Sequence, residues 1–227
     1  MWQITIFVKH LSPQKYTTMS LNNKTRQNCP YCNSEQELNY YQSVNVTLNP
    51  ELKSKVLSGK LNDSICTNCH KEINIVSGFL YHDMSQKIML ELALADDDTV
   101  DHKEEEAKNQ LRNKLIEQGY IYRKLKHYPR LTEKITILDQ KLNDLVIEQA
   151  SHRLKAVLDE TSKKTSSIAG DFDFKVFFNR IESGLFKKKI VFNCFSHPSQ
   201  MMEIEYDFKK LTSDEKKKLY NQDILRK

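Results

Sequence analysis

Four of the five cysteines stand in two pairs with the spacing of metal-binding knuckles, at residues 29–32 (CPYC) and 66–69 (CTNC). Two cysteines separated by two residues can direct both sulfurs at one ion from a tight turn. Two such turns supply the four thiolates that tetrahedral Zn²⁺ prefers, and a closed set of four is typical of structural zinc. The sequence therefore predicts one structural Zn²⁺ bound by Cys29, Cys32, Cys66 and Cys69.

Other uses of these cysteines fit the sequence less well. Disulfide bonds need an oxidising compartment, but no segment has the make-up of a secretory signal, so we expect a cytoplasmic protein with reduced thiols. A thioredoxin-like redox motif would account for one pair and not for two. His70 directly follows Cys69, and adjacent residues seldom reach the same ion, so we exclude it from the ligand set.

The segment between the two pairs must contain folded structure, because it is longer than the roughly 15–20 residues common between zinc-ribbon knuckles. Residues 50–58 are predicted to form a short helix. Asn49 suits the N-cap, Pro50 the first helical position and Gly59 the position beyond the C-cap. We therefore expect a zinc-ribbon β module with an inserted short helix.

Several stretches around the cysteines occur together in a known family. They are YQSVNVT (41–47), LNPELKSKVLSGKLN (48–62), GFLYHDM (78–84), YIYR (120–123) and the segment 133–148. In this order they resemble the CpXC domain of bacteria and archaea, which is named for its Cys-Pro-x-Cys pairs.

The resemblance extends over roughly residues 25–150 and implies a fold and a bound metal, but no activity. It also implies that segments 120–123 and 133–148 belong to a helical part that follows the cysteines. Thr67 departs from the family pattern, which usually has proline there. This departure affects the stiffness of the knuckle and not the ligand set.

Hydrophobic alternation predicts strands around the cysteines. Residues 37–47 are interpreted as one or two strands, 72–76 as another and 87–94 as a further one. Residues 20–28 are polar and are expected only to lead into the first knuckle. The strands should form a small antiparallel sheet capped by the zinc site.

Residues 96–165 are predicted to be a helical region of two or three helices. The acidic segment 95–106 is interpreted as a solvated linker and helix start rather than a Ca²⁺ or Mg²⁺ site, because the turn glycine of an EF-hand loop is missing. Pro129 is expected to end the first helix. The apolar positions of that helix are Leu111, Leu115, Gln118, Tyr122 and Leu125.

A second apolar stripe follows with alternating steps of four and three residues. Its members are Leu131, Ile135, Leu138, Leu142, Leu145 and Gln149, continued by Leu154, Val157 and Leu158. We interpret the stripe as core, and the alternative is a short coiled coil that forms a homodimer.

Residues 166–227 alternate again, which predicts a three-stranded antiparallel meander and a final helix. Ser183-Gly184 marks a turn, and Cys194 is interpreted as a buried apolar residue. Thr212 and Glu215 have the spacing of a capping box. The positions expected to face inward are Phe172, Phe174, Val176, Phe178, Ile190, Phe192, Cys194, Met202, Ile204, Tyr206 and Phe208.

The chain therefore predicts an α+β protein of four segments. They are an N-terminal extension (1–19), the CpXC zinc-ribbon module (20–95), the helical region (96–165) and the C-terminal meander and helix (166–227). The extension is either a further strand or sequence upstream of the true start, and we expect it to be poorly packed. No apolar run approaches the ~20 residues of a membrane span.

Three functional hypotheses follow from these features. The first is a non-enzymatic, zinc-stabilised module that binds a protein partner, because no phosphate loop, dinucleotide fingerprint or nucleophile elbow is present. The second is a nucleic-acid-binding protein whose basic runs at 123–127, 187–189 and 216–218 contact phosphates, although the net charge of +5 is mild.

The third hypothesis is a hydrolytic or nucleotide-processing enzyme whose site is assembled from residues that the sequence does not pair. Residues 81–83 (YHD) are the stretch that suggests acid–base chemistry. Adjacent side chains of an extended chain point to opposite faces, so His82 and Asp83 are not expected to form a dyad. A structural role for Tyr81, His82 and Asp83 is therefore favoured.

Overall fold

The structure, a computed structural model, describes residues 5–7, 20–94, 102–165, 173–184, 187–196 and 200–226. Helices make up 36% and strands 37% of the residues, which confirms the α+β class. The chain divides into two compact units, Met1–Thr132 with Arg226–Lys227 and Glu133–Leu225. None of the helices in the described ranges is both long and apolar enough to cross a membrane.

The secondary structure elements are numbered in chain order. The strands are β1 (Thr5–Phe7), β2 (Leu21–Asn28), β3 (Glu35–Asn45), β4 (Asp63–Ile65), β5 (Glu72–Ser77), β6 (Phe79–Asp83), β7 (Ile88–Leu92), β8 (Ile121–Leu125), β9 (Lys175–Ser183), β10 (Lys188–Ser196) and β11 (Gln200–Asp207). The helices are α1 (Glu51–Leu57), α2 (His102–Glu117), α3 (Tyr128–Asp139), α4 (Asp144–Thr165) and α5 (Ser213–Lys218), with 3₁₀ turns at Phe208–Lys210 and Asp223–Arg226.

The first unit contains a five-stranded mixed sheet of order β2-β3-β6-β7-β8 and a three-stranded sheet of order β1-β5-β4. The β3–β6 and β7–β8 pairs are parallel. The prediction of one small antiparallel sheet is wrong, because the strands form two sheets and the larger one is mixed. Strand β6, which was not predicted, lies between β3 and β7, and β5 belongs to the smaller sheet. Alternation did not reveal β6, since four of its five residues are buried.

The polar segment before the first knuckle forms strand β2, which sequence analysis missed. It pairs with β3 in antiparallel register over its full length and forms one edge of the larger sheet. Its residues are alternately half-buried and exposed. An edge strand of this kind is held by backbone hydrogen bonds and does not require apolar side chains, so a hydrophobic pattern does not reveal it.

The N-terminal extension is described only at Thr5–Phe7, which pairs in parallel with β5. The rest of it, residues 1–4 and 8–19, lies outside the described residues, as do residues 95–101 of the acidic segment. The expectation that the extension packs poorly therefore stays a prediction.

The inserted helix is confirmed as α1, which buries Leu52 and Val56. Its N-cap is Pro50 and not Asn49, and no side chain caps its first turn. At the other end Gly59 has a φ of +73°. The amide of Gly59 donates to Val56 O at 3.2 Å and that of Lys60 to Lys55 O at 2.9 Å, which is a Schellman ending.

The helix predicted to run through Tyr122 and Leu125 ends earlier than expected. Gly119 has a φ of +80° and terminates α2, and the chain then forms β8, which pairs in parallel with β7. The helical character that the resemblance implied for residues 120–123 is therefore wrong. Pro129 is the second residue of α3 rather than the end of a helix, a position where proline costs no hydrogen bond.

The predicted apolar stripe between 131 and 158 is interrupted, because α3 ends at Asp139 and α4 begins at Asp144. Lys141, in the connection, has a φ of +59°. The helical phase therefore shifts, and Leu145 and Val157 are exposed instead of buried. Whether any exposed helical face forms a homodimer stays a prediction.

The second unit contains the predicted meander, in the order β11-β10-β9, with both pairs antiparallel. The buried positions include Cys194, as expected, while Met202 is exposed and Phe172 lies outside the described residues. The capping box of α5 is confirmed, with Thr212 and Glu215 each accepting from the other's backbone amide. The core of this unit is Ile137, Leu142, Val146, Ile147, Ala150, Leu154, Val176, Phe178, Ile190, Phe192, Cys194, Tyr206, Leu211 and Leu219.

Candidate metal centre

The four paired cysteines meet in one cluster, and all four sulfurs lie within 4.8 Å of one another. The Sγ atoms of Cys29 and Cys69 are 3.7 Å apart, as are those of Cys32 and Cys66. A tetrahedron with metal–sulfur bonds of about 2.3 Å has edges of about 3.8 Å. These two separations match the edges of a tetrahedral thiolate site, and the donor set suits Zn²⁺.

The two knuckles have the same backbone construction. In the first, Cys29 N donates to Ser34 O and Asn33 N donates to Cys29 O, at 2.8 and 2.9 Å. In the second, Cys66 N donates to Lys71 O and His70 N donates to Cys66 O, at 2.9 and 3.0 Å. Each turn thus closes over its cysteines in the same way.

A left-handed residue follows the second cysteine of each knuckle. Asn33 has a φ of +58° and His70 a φ of +57°. Asparagine and histidine are enriched in this conformation among non-glycine residues. His70 is therefore part of the turn geometry, and it is not a member of the cluster of metal-ligating groups, as sequence analysis expected.

The metal centre joins elements from both sheets of the first unit. The first knuckle connects β2 to β3 of the five-stranded sheet, and the second connects β4 to β5 of the three-stranded sheet. In the described part of the chain, the buried side chains that cluster at the knuckles are Cys29, Leu38, Tyr40, Cys66, Ile73 and Ile75. A metal bridge would therefore supply much of the link between the two turns.

Backbone and side-chain donors point at the sulfurs. The amides of Asn68 and Cys69 both lie 3.4 Å from Cys66 Sγ. The hydroxyl oxygen of Ser34 is 3.0 Å from Cys32 Sγ and 3.7 Å from Cys66 Sγ. Such donors offset the negative charge that four thiolates concentrate around one divalent ion.

These donors also change the acidity of the thiols. Hydrogen bonds from Ser34, followed by that of Asn68, lower the pKa of Cys32 to about 5. In contrast, although the Lys71 amide has the largest single effect and lowers the pKa of Cys69, burial and the neighbouring sulfurs together raise that pKa to about 11. Metal binding must release the protons that remain on such thiols, so the affinity of the site depends on pH.

Gln36 connects the two knuckles. Its side chain is buried, and its Oε1 accepts from both the amide and the hydroxyl of Thr67, each at 2.9 Å. Its Nε2 donates to Ser34 Oγ at 2.9 Å. Thr67 thus uses an N–H that proline would lack, at the position where the CpXC pattern usually has proline.

Residues 81–83 lie on β6, and all three are buried. His82 Nε2 is 3.1 Å from the hydroxyl oxygen of Tyr120, and its Nδ1 has no hydrogen-bond partner among the described residues. Burial lowers the pKa of His82, against the charge of Asp83. No His82–Asp83 hydrogen bond is present, in agreement with the expected opposite orientation of the two side chains.

Asp83 stabilises the turn between β6 and β7. Its carboxylate accepts from Ser85 Oγ at 2.6 Å and from the Gln86 amide at 3.0 Å, and Lys53 Nζ is 3.9 Å away. These contacts favour a structural role for the Asp83 carboxylate.

The basic run 123–127 lies on β8, at the other edge of the five-stranded sheet, and on the turn that follows. Lys124, Lys126 and His127 are exposed. Arg123 Nη1 donates to the Tyr122 carbonyl at 2.8 Å. The other two basic runs lie in the second unit, where Lys189 pairs with Glu205 and Lys218 with Asp214.

Sequence analysis identified the four cysteines that cluster but missed the residues that contact their sulfurs or join the two knuckles: Ser34, Gln36 and Asn68. Ser34 and Asn68 adjoin or lie within the knuckles, which is a weak local signal. Gln36 and Thr67 are 31 positions apart, and only the folded arrangement shows that they meet.

Comparison with known proteins agrees with this geometry. A family model described as CpXC protein matches residues 28–150, which include both knuckles and end within α4. Neither the search of curated proteins nor the search of solved structures found a match. The family match covers more than half of the 227 residues, and the chain belongs to the CpXC family.

Proposed function

We propose that this protein is a zinc-binding, non-enzymatic interaction module in which a structural Zn²⁺ on Cys29, Cys32, Cys66 and Cys69 holds the two knuckles together. The observation that carries this proposal is the cluster of four sulfurs with tetrahedral spacing. Four thiolates leave no open coordination position, which favours a structural and not a catalytic metal.

Zinc loading is tested by elemental analysis of protein purified under reducing conditions, and by the absorption spectrum of a Co²⁺-substituted sample. One equivalent of zinc and the intense visible bands of tetrahedral thiolate-bound Co²⁺ are expected. A substoichiometric metal content, or a Co²⁺ spectrum without thiolate charge transfer, would contradict the proposal. Cys194→Ala is the matched control, because Cys194 is buried in the second unit and is remote in sequence from the knuckles.

A protein partner is favoured by the apolar groups exposed around the metal centre. Tyr31, within the first knuckle, is 39% exposed, and Ile65, directly before Cys66, is 69% exposed. Lys71 Nζ lies 4.8 Å from the centre of the Tyr31 ring. Aromatic and apolar side chains held on a rigid metal-bound turn are suited to the centre of a protein interface.

The interaction is tested by comparing two serine variants of the zinc-loaded chain in partner capture. Ile65→Ser should abolish capture of a partner protein, while zinc content stays unchanged. Ile224→Ser, at an exposed apolar side chain of the second unit, should leave capture intact. Equal capture by both variants would refute the assignment of this surface.

A further inference from the structure

We propose that the second unit binds single-stranded nucleic acid on a lysine surface assembled from three separate segments. The lysine surface consists of Lys187, Lys188, Lys209, Lys210, Lys216 and Lys217. It lies outside residues 28–150, the part matched by the CpXC family model, and it includes none of the four clustered cysteines. Lys209 and Lys210 belong to none of the three basic runs identified in the sequence.

The fold brings the three segments together. The pairing of Lys189 with Asp207 places the start of β10 beside the 3₁₀ turn Phe208–Lys210. Lys188 Nζ lies 5.3 Å from the centre of the Phe208 ring and 4.3 Å from that of Tyr220.

The third segment joins through α5. Lys216 Nζ donates to the carbonyl oxygen of Lys209 at 3.3 Å. The start of β10, the 3₁₀ turn and α5, the segments that contribute the lysines, therefore adjoin one another within the unit.

Acidic groups near this surface already have partners. Three carboxylates are in ion pairs: Glu205 with Lys189, Asp214 with Lys218 and Glu215 with Arg153. Asp207 caps the 3₁₀ turn by accepting from the Lys209 amide at 2.8 Å. In the described part of the chain, none of the six lysines forms an ion pair with a carboxylate. They remain available to a polyanion, whose counterions they would displace.

The exposed ring of Tyr220 favours a single strand over other polyanions. Tyr220 is 49% exposed, and Lys188 Nζ lies over its ring, so that a cation and an exposed aromatic side chain are in contact. Proteins that bind single strands combine a positive surface with aromatic rings on which unpaired bases stack. A duplex keeps its bases paired, and a lipid surface offers no base to stack.

The test measures binding of a fluorescently labelled dT15 strand to the zinc-loaded 227-residue chain by fluorescence anisotropy, at several salt concentrations. We expect saturable binding that weakens as salt rises. Tyr220→Leu should weaken binding about fivefold or more, because stacking on an aromatic ring is worth about 1–3 kcal/mol per base. Lys209→Gln with Lys217→Gln should reduce the slope of log K against log salt by about 1.4, since each single-strand contact contributes about 0.7.

The matched control removes the same two charges elsewhere. Lys60→Gln with Lys163→Gln replaces two exposed lysines outside the lysine surface and should leave the slope unchanged. Absence of dT15 binding at low salt would overturn the proposal. Equally tight binding to a blunt duplex or to phosphatidylserine vesicles, with no effect of Tyr220→Leu, would also overturn it, because a base-stacking surface would then not be involved.

Discussion

Lys134→Met should strongly destabilise the second unit, because Lys134 neutralises a carboxylate that water cannot reach. Its Nζ lies 2.8 Å from Asp144 Oδ2 and 2.9 Å from Glu148 Oε2. The Lys134 side chain is 8% exposed and that of Asp144 is 0% exposed, whereas Glu148 is 47% exposed. Removing the lysine therefore leaves the Asp144 charge buried and Glu148 solvated.

The expected loss is near the lower end of the range for a broken buried ion pair. Such losses are about 3–5 kcal/mol. Asp144 is the first residue of α4, where the positive end of the helix dipole offsets part of the buried charge. We therefore expect the free energy of unfolding to fall by about 3 kcal/mol.

Urea denaturation followed by circular dichroism measures this loss, and a double-mutant cycle isolates its cause. Adding Asp144→Asn to Lys134→Met removes the buried charge and should recover most of the stability. Glu148→Gln serves as control and should cost less than about 1 kcal/mol, because half-exposed ion pairs contribute little. If Lys134→Met costs less than the control, or if the second substitution restores nothing, the buried charge is not what makes Lys134 important.

Three further predictions concern the first unit. Cys66→Ser, or removal of metal by a chelator, should abolish stoichiometric zinc binding and lower the midpoint of thermal unfolding of this unit. Cys194→Ala should retain zinc. Retention of one zinc by Cys66→Ser would refute the ligand assignment. Thr67→Pro should lower the free energy of unfolding, measured by thermal denaturation, by about 1–3 kcal/mol, because the buried side-chain oxygen of Gln36 loses both of its Thr67 donors. Thr67→Val keeps the amide donor and should cost less. Burial acts to raise the pKa of Asp83, but hydrogen bonds from Ser85 and Gln86 and the charge of Lys53 outweigh it and lower that pKa. The ionised Asp83 thus stabilises the fold at pH values above the ordinary aspartate pKa of about 4, and this stabilisation is lost as the pH falls below that value. The difference in urea midpoint between the wild type and Asp83→Asn should be large at pH 7 and should shrink toward pH 3. A difference that does not change with pH would contradict this reasoning.

Patterns fixed by local chemistry could be predicted from the sequence. The cysteine spacing identified the sulfur cluster, because a short turn constrains both thiols of a pair without reference to the rest of the fold. Pro50 and Gly59 bounded α1, since each has a restricted or unusual backbone preference. Thr212 and Glu215 marked the start of α5 for the same reason, as the capping box is complete within four residues.

Elements defined by distant partners could not be predicted in this way. Strand β2 forms because its backbone pairs with that of β3, whereas its own side chains are polar and predict no strand. Strand β8 continues the apolar spacing of the preceding helix, and Gly119, with its positive φ, lies in the three-residue connection between the two. Pro129 illustrates the same difficulty, because proline fits the first turn of a helix as readily as it ends one.

The exchange at residue 67 shows why the surroundings of a metal centre are harder to infer than its ligands. Proline in a knuckle restricts φ within the chain itself, so its effect is visible in a C-P-x-C motif. Threonine at this position instead donates twice to Gln36, which lies on β3 and also binds Ser34 beside the sulfurs. Both arrangements restrain the second knuckle, but the second one depends on the register of β3 against the knuckle. A family member with threonine at this position is therefore expected to carry a hydrogen-bonding side chain at the position of Gln36, whereas one with proline has no such requirement.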